Sequence, residues 1–150
     1  MNSTTTATTA IINDLIVICK DGQDGFDDAS EIIKQSDLTT LLSGYSLQRT
    51  KFAGELQQLV IGLGEEPETS SCIPNAMHRG WIDLKGVFTK GGEYAILAEC
   101  ERGEDRATGA YRDALKKEMP TNIRENISAQ CAAVQAAHHD IRDRRDACAE

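Results

Sequence analysis

Aromatic residues supply only 5% of this chain, too little to build a sheet-centred core. Its apolar residues are mainly Ala, Leu and Ile, which suit helices packed through aliphatic seams. Proline is scarcer still: Pro67, Pro74 and Pro120 all fall outside the long apolar-periodic stretches. The five cysteines, at positions 19, 72, 100, 131 and 148, include no C-x-x-C pair and leave an odd one over. That spacing argues against a disulfide framework and a zinc cluster. Cys19, Cys100 and Cys131 sit in apolar helical patterns as small hydrophobes, with no basic setting to activate a thiol. Lysine and arginine form no block, and the net charge of −8 argues against partners such as nucleic acid or an anionic membrane. The run from Ile11 to Cys19 is broken by Asn13 and Asp14, too short to span a bilayer, and no basic region precedes it. A cytoplasmic protein is the expectation.

What the chain does have is helical periodicity. At 150 residues it is sized for one domain with a real core. The Ser/Thr-rich residues 1–10 read as a flexible lead-in, and residues 11–148 as the domain. A 4–3 seam runs Ile11, Leu15, Ile18, Gly22, Gly25, Ala29, Ile32; Asp21–Gly22 reads locally as a turn, but the register is unchanged across the two glycines, which favours one continuous helix over a break there. Ser36 or Asp37 is placed to cap a second helix with the stripe Leu38, Leu41 or Leu42, Tyr45, Arg49, Phe52, Leu56, Leu59, Leu63, stopped by Gly64. Pro74 suits the first turn of a short helix carrying Met77, Trp81, Leu84 and Phe88, ended by Gly91 and Gly92. A third long helix carries Leu97, Cys100, Glu104, Ala107, Tyr111, Ala114 and Leu115. After Pro120, with Thr121 or Asn122 as cap, the last stripe is Ile123, Ile127, Cys131, Val134, His138, Ile141.

The connections set the architecture. Tight joints after the first and third long helices force antiparallel pairs. The long connection between the pairs is able to run back along the bundle, which gives an all-α, ferritin-like four-helix bundle whose crossover carries a short fifth helix. A simple up-down bundle with an inserted helix is the alternative.

Several segments carry a resemblance: Cys19-Lys20-Asp21-Gly22; Arg49 with Phe52 and Glu55; His78-Arg79-Gly80-Trp81; Glu99 through Asp105; and Ala133 through His138. Over about Ile11–Arg142 the chain resembles an uncharacterised bacterial family, a domain of unknown function of four-helix-bundle proteins grouped with the ferritin-like superfamily. The resemblance implies the fold and a possible stress association, but no activity.

Di-metal sites in ferritin-like bundles take a Glu from each of two helices and a Glu-x-x-His from each of the others, because i, i+3 spacing puts carboxylate and imidazole on one face. No Glu-x-x-His occurs in this chain. Partial counterparts exist: Glu101-x-x-Glu104, Gln135-x-x-His138, and Glu55. By turn counting, Arg49, Glu104 and His138 fall near one level, which predicts a buried ionic layer, since a buried arginine needs a carboxylate and repels a divalent cation. On the competing reading Glu55, Glu101, Glu104 and His138 ligate iron or manganese. His78 and Trp81, one turn apart, line a pocket beneath the crossover or dock it to the bundle. Val17, Val60 and Ile61 read as exposed apolar residues, which suggest an interface beyond the core or else lie under the crossover helix. The expectation is a non-enzymatic bundle without cofactor that assembles with itself or a protein partner; the alternative is a degenerate iron or manganese protein with oxidase chemistry.

Overall fold

A computed structural model describes residues 3–69 and 84–148, which form four helices and, among the described residues, no strand. They are α1 (Ser3–Ile32), α2 (Ser36–Gly62), α3 (Leu84–Leu115) and α4 (Thr121–Cys148). The seam of α1 does continue through Gly22 and Gly25, both buried. Its start lies further back than the sequence reading: residues 3–10 belong to α1, and Thr8 is buried against the bundle. Threonine is a mediocre helix former, so it is packing of one face, not propensity, that holds these turns.

Several helix ends have an identifiable cause. The cap of α2 is Gln35, not Ser36 or Asp37; its Oε1 accepts from the Leu38 N–H at 3.0 Å. The other end of α2 closes with Glu65 N–H on the Val60 carbonyl and Gly64 N–H on the Ile61 carbonyl. That pair of bonds needs a left-handed residue, and Gly64 supplies it at φ 79°. In α3 the helix is broken at Gly92, whose φ of 65° and ψ of −150° are open only to glycine. Leu84–Gly91 is therefore a separate helical piece leading into the long part of α3; the sequence reading began it at Pro74, and residues 70–83, with His78 and Trp81, lie outside the described residues. The Pro120 carbonyl takes the Arg124 N–H, and the Arg124 guanidinium donates to the Leu115 and Lys117 carbonyls at 2.6 and 2.5 Å. One α4 side chain thus satisfies the orphan carbonyls that end α3.

Helix directions follow from the pairs of residues that meet. Cys19 meets Tyr111 while Gly22 lies beside the Arg49–Glu104 pair, so α1 and α3 are antiparallel. Arg49 meets Glu104, while Phe52 and Glu55 meet Gln130, which in turn meets Tyr111; α2 and α3 therefore run the same way. The chain must cross the length of the bundle between them, about 40 Å for a helix of this size. It sets off in that direction at once: Glu68 N–H donates to Asn13 Oδ1, and Gln57 Nε2 donates to the Glu68 carbonyl. At the far end Gln35 N–H donates to Glu93 Oε2, placing the start of α3 beside the α1–α2 joint. α1 packs extensively on α2 and also on α3, α3 on α4, whereas α2 and α4 meet along a thinner seam.

The core has two apolar halves. One gathers Ile12, Leu15, Ile16, Leu56, Val60, Tyr111, Ile127 and their neighbours; the other gathers Phe26, Ala29, Leu42, Ile96, Leu97, Cys100 and Ile141. Val60 belongs to the first half, fully buried, while Ile61 beside it is exposed.

Candidate functional site

Between the two halves lies a polar layer. Arg49, on the core stripe of α2, has only 1% of its surface exposed and is the largest fully buried side chain described. Its Nη1 and Nη2 donate to Glu104 Oε1 and Oε2 at 2.6 and 2.5 Å, a two-pronged pair that occupies both carboxylate oxygens. Gly22 of α1 packs directly against the pair: a Cβ there would touch Arg49 Cγ and Nη1 at 3.4 Å. The guanidinium also sits 5.3 Å from the centre of the Phe26 ring. Burial works against the Arg49 cation, but the Glu104 charge and its hydrogen bonds outweigh that and raise the pKa above its usual value. A cavity of about 10 Å³ adjoins the pair, bordered by Asp21, Gly22 and Ala107, with room for one water.

A second buried chain of hydrogen bonds starts next to it. Gln130 Oε1 accepts from the Tyr111 hydroxyl at 2.7 Å, which leaves the Cys19 thiol to donate to the Tyr111 oxygen at 3.0 Å. Gln130 Nε2 in turn donates to Glu55 Oε1 at 3.0 Å. Burial pushes the Cys19 thiol up to about 11, against smaller opposing effects of the Tyr111 bond and Arg49. Burial likewise raises the Tyr111 phenol and the Cys100 thiol well above their usual values. These groups are held neutral, as donors and packing, rather than poised as nucleophiles.

His138 belongs elsewhere. Its Nε2 lies 2.5 Å from Asp105 Oδ1 and 3.6 Å from Glu101 Oε2, and Glu101 is also bound by Arg145. Glu101 and Asp105 are one turn apart on a single face of α3, whereas Glu104 points about 100° away, into the core. Thus Glu104 and His138 share a level but not a side of the helix. Of the four residues weighed as metal ligands, Glu104 is committed to Arg49, Glu101 to Arg145 and His138, and Glu55 to Gln130 and Lys51. Among the described residues no three His, Cys, Asp or Glu side chains are grouped to hold a metal. These donors, as arranged, do not fit an iron or manganese centre.

Gln130 was absent from the sequence reading, which ran the α4 stripe through Cys131 and His138. The buried set is Ile123, Ile127, Gln130, Cys131, Val134, Ala137 and Ile141. Alternating steps of four and three from Ile123 reach Gln130 and Ala137, so the spacing contained the signal; glutamine's polarity obscured it.

A four-helix bundle divided by a buried arginine–carboxylate layer is thus the class of protein the fold and site define. The chain belongs to the family described as a domain of unknown function (DUF2383), whose model matches residues 7–117. The match takes in Cys19, Gly22, Arg49, Glu104 and Tyr111 and ends before α4. No curated protein matches the chain.

Proposed function

We propose that this chain is a non-enzymatic, ferritin-like bundle in which the Arg49–Glu104 pair takes the central position that di-metal relatives of the fold give to their cofactor. The observation that carries this is the two-pronged pair itself: a guanidinium on both oxygens of the best-placed carboxylate takes the bidentate position a cation would use and adds a positive charge there. The parallel course of α2 and α3, joined by a crossover, supports the ferritin-like assignment. Its work is then done at its surface, by assembly with itself or another protein, in the manner of a stress-associated structural protein. A reducing, cytoplasmic setting agrees with free thiols at Cys19, Cys100, Cys131 and Cys148. Among the described residues no helix is long and apolar enough to cross a membrane.

The test is elemental analysis of protein made with iron and manganese supplied and purified without chelator, paired with thermal unfolding with and without chelator. The expected result is no stoichiometric metal and an unchanged Tm. Stoichiometric iron or manganese, stripped by chelator with loss of stability, overturns the proposal.

A further inference from the structure

The outer face of α2 differs from those of α3 and α4. From Thr39 to its end at Gly62 the only ionisable groups that reach solvent on this helix, apart from Tyr45, are Lys51 and Glu55, because Arg49 is buried. The outer face of α3, by contrast, bears Arg102, Asp105, Arg106, Arg112 and Asp113. Large apolar side chains stand out on the α2 face: Leu47 is 71% exposed and Ile61 51%. Between them lies Gly54, seven residues from each. Glycine in mid-helix costs stability relative to alanine. Among the described residues nothing requires it here, since a Cβ at Gly54 would meet none of their atoms within 4 Å.

We infer that this face docks a second copy of the same chain, α2 against antiparallel α2, with the twofold axis at Gly54. This rests on the assembly reading above and names the surface that performs it. A twofold axis there sets a residue n positions before Gly54 level with one n positions after it in the partner. Leu47 and Ile61, each about 10 Å along the helix from Gly54, then face each other across the interface, twice. Gly54 meets its own mate at the crossing, where the lack of a side chain lets the backbones approach. Lys51 comes level, to within about one turn, with Glu55 of the other copy on the same side, so the remaining charges complement each other. Depleted charge around exposed aliphatic residues is the composition of an interface core.

The experiment is sedimentation velocity on the full chain across concentration, with thermal unfolding of each variant as a control on folding. Wild type sediments as a dimer. Leu47→Glu sediments as a monomer with its low-concentration Tm unchanged, because Leu47 is largely solvated within one chain. Lys51→Glu weakens the dimer at least tenfold at low salt. In a Cys72→Ser, Cys148→Ser background, Gly54→Cys cross-links to a dimer under mild oxidation. Leu47→Cys does not, since its mate lies about 20 Å away along the axis. A wild-type monomer overturns the inference, as does a dimer that Leu47→Glu leaves intact, or a Leu47→Glu variant that loses stability without changing mass. The intact dimer would spare the assembly reading and remove only this face, whereas metal content is decided separately by the elemental analysis.

Discussion

Arg49 and Glu104 are each 1% exposed, so neither has water to fall back on when the other is removed. Arg49→Ala is expected to cost about 3–5 kcal/mol in urea unfolding, because it strands a carboxylate in the core. Arg49→Lys should also destabilise, since one ammonium cannot reproduce the two parallel bonds. Cys19 gives a pH signature of its own. Its folded pKa, about 11, is raised above the ordinary 9.0, so its contribution is complete below pH 9 and is lost as pH rises towards 11. Stability should therefore be flat near neutrality and fall across that window, by roughly 3 kcal/mol for this group. Cys19→Ala should unfold more easily at pH 7 but show a shallower alkaline decline; an equally steep decline would assign the effect to other groups.

At the scale of the helix, two glycines have opposite reasons. Gly22 has an ordinary helical backbone and is small to admit Arg49. Gly22→Ala, meeting Arg49 at 3.4 Å, should change stability by less than about 1 kcal/mol, the contact offsetting the gain in helix propensity. Gly22→Leu should displace the guanidinium and cost about as much as Arg49→Ala. Gly92 is needed for its backbone, and Gly92→Ala should cost about 1–3 kcal/mol by denaturant titration. The long helices were legible in the sequence because 4–3 spacing reports burial directly, and the continuity of α1 through Gly22 was legible from its register. The caps were less so: Gln35 and Pro120 are not preferred capping residues, and geometry selected them over the better candidates beside them. Arg49 and Glu104 were readable as partners because both sit on core stripes and neither survives burial alone. His138 was misplaced because a level along an axis says nothing about azimuth, and a step of one residue, Glu104 to Asp105, turns the side chain out of the core. Gln130 went unread because its polarity argued against the core position its spacing gave it.

For the molecule as a whole, the polar layer separates two apolar halves that would otherwise merge. Replacing the pair by Arg49→Met with Glu104→Leu should leave the bundle as stable as wild type or more so, by up to about 4 kcal/mol, although each single replacement destabilises. Chemical denaturation of the single and double variants checks this. The topology was legible from joint lengths: two tight joints and one long connection admit few arrangements, and the parallel course of α2 and α3 is the one seen. That course also fixes how the bundle would respond to force. Because α1 and α4 point the same way, Ser3 and Cys148 lie at opposite ends, and a load applied between them acts along the helix axes. Rupture would then require neighbouring helices to slide past one another with the Arg49–Glu104 bonds breaking together, in shear, rather than to peel apart one turn at a time.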